Sequence, residues 1–319
     1  MPHTRTAVEI AVLVNQKLER MIPLLTPVGA GLGIFFPKFF ILLRPLAPWL
    51  FSLMTLSGAL KLRTREMGAV LKNPLPLLLF FISAHTIMPV LVLLISRIAF
   101  RNDTEIISGY ILLYATPTAV TGFVWSSIFH GDPALSLALI LLDTLVSPFA
   151  APATVSLLLG ASVIFNAGGM ILSLILMVVI PTVVGVGANE ISGGRIPDAV
   201  CPYLTPFSKI CILCVIAANS AAVAPQIHFE SLRIWIIVIC CICFTCLGFL
   251  LAKLAGLVSR LNYEKQASVF FASGLRNTTA AMTIAIEYFP PGAALPAVMG
   301  IIFQQSMCAI MGRLLMRKK

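Results

Sequence analysis

The sequence predicts an all-α, polytopic membrane protein with ten transmembrane helices, arranged as two inverted repeats of five. Three observations support this fold class. The 319 residues are 59% hydrophobic and only 11% charged, and the mean hydropathy is +1.00, far outside the balance of a soluble domain. Several apolar runs reach the roughly 20 residues that a helix needs to cross a bilayer. Two of these runs are interrupted by polar residues at corresponding positions of the two halves.

The predicted spans form a single transporter domain over residues 1–319, with a first repeat at about 22–159 and a second at about 168–314. Residues 1–20 mix charged and apolar side chains and lack a cleavage site, which indicates an interfacial amphipathic helix and not a signal peptide. In chain order the spans are 22–37, 45–61, 75–97, 105–130, 133–159, 168–188, 203–225, 232–252, 265–288 and 293–314.

The fourth and ninth spans carry the interruptions. The ninth contains SGLRNTTAAM, in which Arg276 would cost at least ~3 kcal/mol at mid-bilayer depth unless it has a function or a partner. The fourth contains ATPTAVTGF, in which Pro117 removes a backbone donor. We expect non-helical breaks at 116–118 and 274–278 that approach each other near the middle of the membrane. Paired, crossed breaks of this kind are typical of a transporter's binding site.

The candidate substrate-binding or coupling residues come from these breaks and from the spans expected beside them. Arg276 could bind a carboxylate through its bidentate fork, or it could pair, directly or through a bridging water, with Asp143, the one acid placed well within a span. Protonation of that acid would release the arginine and link transport to protons. His85 is either a packing residue or a proton carrier. The full set is Arg276, Asn277, Thr278, Thr279, Thr116, Pro117, Thr118, Thr121, Asp143, His85, Gln304 and Gln305.

Other functional classes have little support in the sequence. No basic cluster suits nucleic acid, and the cysteines lie in apolar runs without the second ligand pair that zinc requires, so we expect no metal site. The chain has no HExxH, G-x-S-x-G or Walker A pattern and no soluble output domain. An intramembrane enzyme or a membrane sensor is therefore disfavoured, and we expect no enzymatic activity and no cofactor.

Basic residues indicate the orientation in the membrane. With the N-terminus inside, the inner segments hold about three times as many lysines and arginines as the outer segments, and this excess predicts that both termini are cytoplasmic. The basic residues of the outer segments are Lys38, Arg44, Arg97, Arg101 and Arg233.

Four stretches carry a resemblance to a known family. The run TPTAVTGFVWSSIFHGDPALS, followed by DTLVSP, GLRNTTAA and PGAALPAVMG, resembles the bile acid:sodium symporter family. The resemblance implies that spans 1, 2, 6 and 7 form a panel and that spans 3, 4, 5, 8, 9 and 10 form a core. It further implies a secondary transporter that binds a small organic anion between panel and core and works by alternating access. A bacterial inner (plasma) membrane is the expected location.

The residues at the two breaks differ from those of the sodium-coupled bacterial members of the family. Those proteins carry Ser-Asn after the fourth-span break, where this chain has Gly122 and Phe123. They carry a glutamate and a glutamine beside the ninth-span break, where this chain has Ala272 and Arg276. An arginine would repel sodium at close range while still attracting an anion.

Two further positions lack the family's side-chain oxygens. The third-span glutamine is replaced by Ala84 and a fifth-span hydroxyl residue by Ile140, although Ser136 is kept. Sodium needs several oxygen ligands around one point. We therefore predict transport that does not depend on sodium, with a proton-linked permease as an alternative.

The arsenite permeases of the same superfamily offer another alternative. They share an FVWS motif followed by a GDPAL-like stretch, but they place a cysteine at the fourth-span break. This chain has Thr116, Pro117 and Thr118 there. Arsenite-type transport is therefore the less favoured interpretation.

Overall fold

The computed structural model describes residues 7–63, 70, 73–101, 103–160 and 165–316, and these residues form helices without a single β-strand. In chain order the helices are α1 (Ala7–Phe35), α2 (Pro37–Phe40), α3 (Ala47–Ala59), α4 (Leu75–Phe81), α5 (Met88–Phe100), α6 (Thr104–Ala115), α7 (Thr121–Ile128), α8 (Pro133–Leu159), α9 (Ala167–Leu174), α10 (Ile180–Ser192), α11 (Arg195–Val223), α12 (Leu232–Val258), α13 (Tyr263–Gly274), α14 (Thr278–Tyr288) and α15 (Leu295–Leu315). Two π-helical segments, Ile82–Ile87 and Ile175–Val179, join α4 to α5 and α9 to α10.

Seven helical segments among the described residues are long and apolar enough to cross a membrane, so the chain is an integral membrane protein. The fourth and ninth predicted spans do not count among the seven because each is split into two short helices. The fourth is divided between α6 and α7, and the ninth between α13 and α14. The ten-span inverted repeat stays a prediction.

Several helices extend beyond the predicted spans. The interfacial segment and the first span form one continuous helix, α1, although residues 1–6 lie outside the described residues. Helix α11 begins at Arg195 and not near 203, and α12 continues to Val258 and not to about 252. Hydropathy marks only the part of a helix that lies in lipid, whereas backbone hydrogen bonds can continue the helix into water.

The helices divide into two compact units. The first comprises Met1–Arg63 and Leu176–Ala222, and the second comprises Thr64–Ile175 and Val223–Lys319. Within the first unit, α3 and α10 approach closely, and the Asn189 side-chain amide donates to the carbonyl of Leu62 over 3.0 Å. Both broken segments belong to the second unit.

An aromatic cluster holds the end of α13 in the second unit. Phe249, Phe270, Phe271 and Cys308 are fully buried together there. The ring of Phe249 covers Gly274, where an added Cβ would lie only 2.1 Å from Cδ1 of that ring. The glycine before the second break is therefore required for close packing.

We expect Gly274→Ala to lower the thermal stability of the purified protein measurably. Overpacking of a filled core costs about 1–3 kcal/mol, which exceeds the ~1 kcal/mol that alanine gains over glycine within a helix. The matched control is Gly187→Ala in α10, where an added Cβ would have no neighbour within 4 Å. Fluorescence-detected unfolding in detergent should show a lower midpoint for the first variant and an equal or higher midpoint for the control. Equal midpoints for both variants would contradict this account of Gly274.

Candidate functional site

The two helix breaks pair with each other. The chain leaves the helix between Ala115 and Thr121 and again between Gly274 and Thr278. An isolated antiparallel bridge joins Thr118 to Arg276 across the gap. The predicted approach of the two breaks is thus present, but the second break is shorter than predicted because Gly274 and Thr278 are both helical.

Backbone N–H and C=O groups of the two breaks form hydrogen bonds with each other. The N–H of Asn277 donates to the carbonyl of Pro117 over 2.8 Å, and the N–H of Ala119 donates to the carbonyl of Leu275 over 3.3 Å. These bonds matter because unpaired N–H and C=O groups within a membrane cost several kcal/mol each. The pairing therefore stabilises an irregular backbone that lipid alone would not tolerate.

Threonine and asparagine side chains complete the ends of the half-helices. The hydroxyl of Thr116 donates to the carbonyl of Leu113, and that of Thr118 donates to the carbonyl of Ala272 over 2.7 Å. Asn277 caps α14 by accepting from the N–H of Ala280. These predicted site residues have a structural role in forming the breaks.

Gln304 and Gln305 on α15 contact the two breaks differently. The side-chain amide of Gln304 accepts from the N–H of Arg276 over 3.3 Å and donates to its carbonyl over 2.8 Å. The amide of Gln305 accepts from the indole N–H of Trp125 over 2.8 Å and donates to the hydroxyl of Thr121 over 3.2 Å. Gln304 thus fixes the second break, and Gln305 ties α15 to the start of α7.

The remaining threonines lie in the first turn of α14. Thr278 is buried, with its methyl group facing Gly300, and Thr279 is half-buried. Pro117 is buried at the centre of the first break. All twelve candidate residues therefore belong to the second unit, around or beside the two breaks.

The side chain of Arg276 is buried at the centre of this arrangement, with only 1% of the residue exposed. Its Nη2 donates to the carbonyl of Ala84 over 2.7 Å, and its Nη1 donates to the carbonyl of Thr116 over 3.2 Å. The guanidinium therefore connects the third span with the first break, while its own backbone forms the second break.

The π-helical segment explains why the carbonyl of Ala84 is available. The N–H of Met88 donates to the carbonyl of Ser83, five residues earlier, as in a π-helix. The residue five positions after Ala84 is Pro89, which has no N–H. The carbonyl of Ala84 is consequently left without a helical donor and accepts from Arg276. Sequence reasoning missed this backbone ligand, although Pro89 is a visible signal for it.

Asp143 is also fully buried, but its partners differ from the predicted one. Its Oδ2 accepts from the N–H of Thr118 over 2.6 Å, and its Oδ1 lies 2.8 Å from Nε2 of His85. The same Nε2 lies 3.4 Å from Nη1 of Arg276. Within the described part of the chain, Asp143 and Arg276 form no direct ion pair, because the imidazole stands between them. The direct form of the pairing expected from the sequence is thus absent among these residues, and the water-bridged form stays a prediction.

The short contact between His85 and Asp143 is a close approach of charged groups. Although Oδ1 lies 2.8 Å from Nε2, it has no hydrogen-bond partner among the described residues. Nδ1 of His85 and Nε of Arg276 are likewise buried with no partner in the part of the chain that the structure describes. In this cluster the terminal nitrogens of Arg276 and Oδ2 of Asp143 form hydrogen bonds to backbone groups. The atoms between them are not fully hydrogen-bonded.

Comparison with known proteins gives a family match and several similar chains. The model of the Sodium Bile acid symporter family matches residues 47–228, more than half of the chain. "Uncharacterized protein YbaS" from Bacillus subtilis (strain 168) is 35% identical over 92% of this chain and 96% of its own length.

Two further relatives are more distant and carry transporter names. "Uncharacterized sodium-dependent transporter YocS" from the same organism is 23% identical over 85% of this chain and 83% of its own length. "Probable sodium/metabolite cotransporter BASS3, chloroplastic" from Oryza sativa subsp. japonica is 25% identical over 90% of this chain and 68% of its own length. The relatives with named functions are transporters and not enzymes.

Proposed function

Because the chain belongs to the sodium bile acid symporter family, we propose that it is a secondary transporter that carries a small organic anion without using sodium. The family match and the apolar helices support transport across a membrane. The paired breaks support a site of the kind that transporters build from discontinuous helices. The observation that supports transport without sodium is the buried guanidinium of Arg276.

Arg276 acts as a tethered cation at the breaks. Its terminal nitrogens donate to the carbonyls of Ala84 and Thr116, and backbone carbonyls are among the oxygen groups that otherwise ligate metal cations. A sodium ion at about 4 Å from the guanidinium would be repelled by about 4 kcal/mol at an effective dielectric constant near 20. Arginine neither dissociates from the site nor loses its charge.

At four positions where sodium-coupled relatives carry an oxygen-bearing side chain, this chain has nothing to compensate for the repulsion. Ala84, Ala272 and Ile140 are buried, and Gly122 lies against the backbone of α13 at Phe271 and Ala272. None of these four side chains contains an oxygen. These four positions therefore do not fit the ligand set of a sodium site.

Arg276 attracts the anion through its charge and not through a free bidentate fork. Both terminal nitrogens already donate to backbone carbonyls, and the side chain is almost inaccessible. A direct fork to a carboxylate, which the sequence suggested, would require those bonds to open. In the conformation described here, the guanidinium supplies a positive potential at the breaks.

We assign the two compact units to the panel and the core of the transporter. The first unit contains the predicted spans 1, 2 and 7 and most of span 6, and the second contains spans 3, 4, 5, 8, 9 and 10. Alternating access then follows if the two units move as separate bodies. We place the protein in a bacterial inner membrane with both termini in the cytoplasm, which the excess of basic residues in the inner segments supports.

A ligand screen by thermal unfolding tests this function. Taurocholate, pyruvate and ketopantoate serve as anionic probes, each measured with sodium, potassium or choline as the only monovalent cation. A probe at about 100 times its Kd stabilises the native state by about 2.7 kcal/mol. We expect at least one probe to raise the unfolding midpoint equally in all three salts and to enter proteoliposomes at equal rates. Stabilisation and uptake in sodium alone would overturn sodium independence. No stabilisation and no uptake of any probe would overturn the proposed substrate class.

A further inference from the structure

We propose that His85 and Asp143 form an exchangeable proton site, so that a proton, and not sodium, is the ion coupled to transport. The inference rests on the proposed transport function and deepens it by naming the coupling ion and the residues that bind it. Three features carry it: the position of Nε2 between opposite charges, the Nδ1 atom without a partner, and the absence, among the described residues, of other buried charged side chains in the second unit.

Nε2 of His85 lies between two groups that require opposite protonation states. Asp143 Oδ1, at 2.8 Å, is an acceptor and requires an N–H at Nε2. Arg276 Nη1, at 3.4 Å, is a donor and requires a lone pair there. One ring nitrogen cannot satisfy both groups at once. Two states of the imidazole are therefore each partly stabilised, which is the condition for a proton site that changes state easily.

The shorter of the two contacts, between Nε2 and Asp143, indicates where the proton lies when the imidazole is neutral. An unprotonated Nε2 and a carboxylate oxygen both carry negative partial charge and would repel each other at 2.8 Å, so a proton must lie on Nε2 or on the carboxyl group. With the proton on Nε2, Nδ1 carries a lone pair and has no partner among the described residues. A buried polar atom without a partner requires an explanation. Nδ1 is the atom that can accept the additional proton.

The side chain of His85 is enclosed but not sealed. It is 8% exposed, and the rings of Phe80 and Phe81 pack against it at centroid distances of 5.8 and 5.5 Å. These rings keep bulk water away from the charged cluster, and Nδ1 itself is buried, so that it exchanges a proton only when this packing opens. The π-helical segment presents the histidine in this position, and such segments frequently occur at functional sites.

The charged and titratable groups that face the pair are few. Arg276 faces it from the second break, and Tyr114 on α6 lies near Arg276. From α12, the thiols of Cys241 and Cys246 lie near Tyr114. Among the described residues, Asp143 and Arg276 are the charged side chains buried in the second unit. The cluster of Arg276, Asp143 and neutral His85 therefore has no net charge, and one added proton gives it a charge of +1.

Protonation changes the contacts of Arg276. With both ring nitrogens protonated, Nε2 donates toward Asp143, and its contact with Nη1 becomes one between two donors on two cations. The attraction at 3.4 Å is replaced by repulsion. The extra positive charge at the breaks then favours an organic anion, and release of the anion favours release of the proton from Nδ1. One proton accompanies one monovalent anion, so that the cycle moves no net charge across the membrane.

Nitrogen NMR of isotope-labelled histidine in the full chain, reconstituted in lipid nanodiscs, tests the site without a substrate. The chain contains four histidines, and the signals of His85 are those lost in His85→Gln. We expect a neutral ring protonated at Nε2 that gains a proton at Nδ1 as the pH is lowered over the range in which the protein stays folded. In Asp143→Asn the neutral ring should shift toward the Nδ1-protonated form, because the carboxylate acceptor is lost. A His85 signal that stays constant over this pH range overturns the proposal.

Proton-driven uptake separates this inference from the proposed function. The probe is whichever of taurocholate, pyruvate and ketopantoate stabilises the protein, and the readout is the accumulation with an inward proton gradient divided by that without one. At one proton per anion, a gradient of about one pH unit supports about tenfold accumulation. We expect this ratio to fall to about one in His85→Gln and to be unchanged in the control His228→Gln, whose side chain is 64% exposed.

The outcomes distinguish the two claims. Anion exchange by the unmodified protein without any response to the proton gradient would overturn proton coupling and leave the transport function intact. Absence of anion exchange under every condition would overturn the transport function itself, whereas the NMR titration would still decide whether His85 binds a proton. An electrical potential alone should not drive uptake of a monovalent anion, and uptake driven in that way would contradict the one-to-one stoichiometry.

Discussion

Replacement of Arg276 by glutamine is expected to abolish anion transport and to destabilise the protein strongly. Glutamine cannot reach both carbonyls that the guanidinium bonds, so those of Ala84 and Thr116 would lose their donor. The carboxylate of Asp143 would remain buried without a nearby fixed cation. Removal of one partner from a buried charge network typically costs about 3–5 kcal/mol. Thermal unfolding and uptake of the stabilising anion measure the two effects.

Two comparison variants make this result specific. Arg276→Lys keeps the charge but lacks the fork that joins two carbonyls, so we expect only partial recovery of stability and transport. Arg233→Gln removes a partly exposed arginine that pairs with Asp103 at 2.7 Å, and such pairs contribute about 0–1 kcal/mol. A normal unfolding midpoint with normal uptake in Arg276→Gln would contradict the central role of this residue.

Asp143→Ala is expected to have the second largest effect. The substitution removes the acceptor of the Thr118 N–H within the first break and leaves Arg276 without its buried counter-charge. A loss of about 3–5 kcal/mol follows from the uncompensated charge. Asp143→Asn should cost less, since the amide oxygen can still accept from the N–H of Thr118. Chemical or thermal unfolding of both variants measures which of them is the less stable.

The matched control is Asp132→Asn at the start of α8. The carboxylate of Asp132 caps that helix by accepting from the N–H of Leu135 over 3.0 Å, and asparagine caps helices about equally well. Its stability should therefore be close to that of the unmodified protein. If Asp143→Ala were as stable as Asp132→Asn, the carboxylate of Asp143 would have no part in holding the break.

The breaks could be predicted from the sequence because their causes are local. Pro117 cannot donate a hydrogen bond, and a buried arginine among small polar residues is costly in a regular apolar helix. The same reasoning identified Arg276 and Asp143 as belonging to one site. The ends of α1, α11 and α12 were less predictable, since hydropathy does not record how far a helix continues into water.

The arrangement at the centre of the site could not be predicted from residue types alone. The insertion of His85 between Arg276 and Asp143 depends on the register of the π-helical segment, whereas the opposite charges alone indicated a direct or water-bridged pair. The carbonyl of Ala84 was missed because a ligand search by side chain does not consider backbone oxygen atoms. Both features arise from the same segment, in which Pro89 removes the donor that a regular helix would supply.

Direct binding of radioactive sodium to the purified protein tests the central claim, that Arg276 replaces a dissociable sodium ion. A scintillation proximity measurement in potassium buffer, with and without excess unlabelled sodium, records saturable binding without the need for a substrate. The B. subtilis relative named as sodium-dependent serves as the positive control. We predict saturable binding to that relative and none to this protein. Saturable sodium binding to the unmodified protein, displaced by unlabelled sodium and not by choline, would contradict the account.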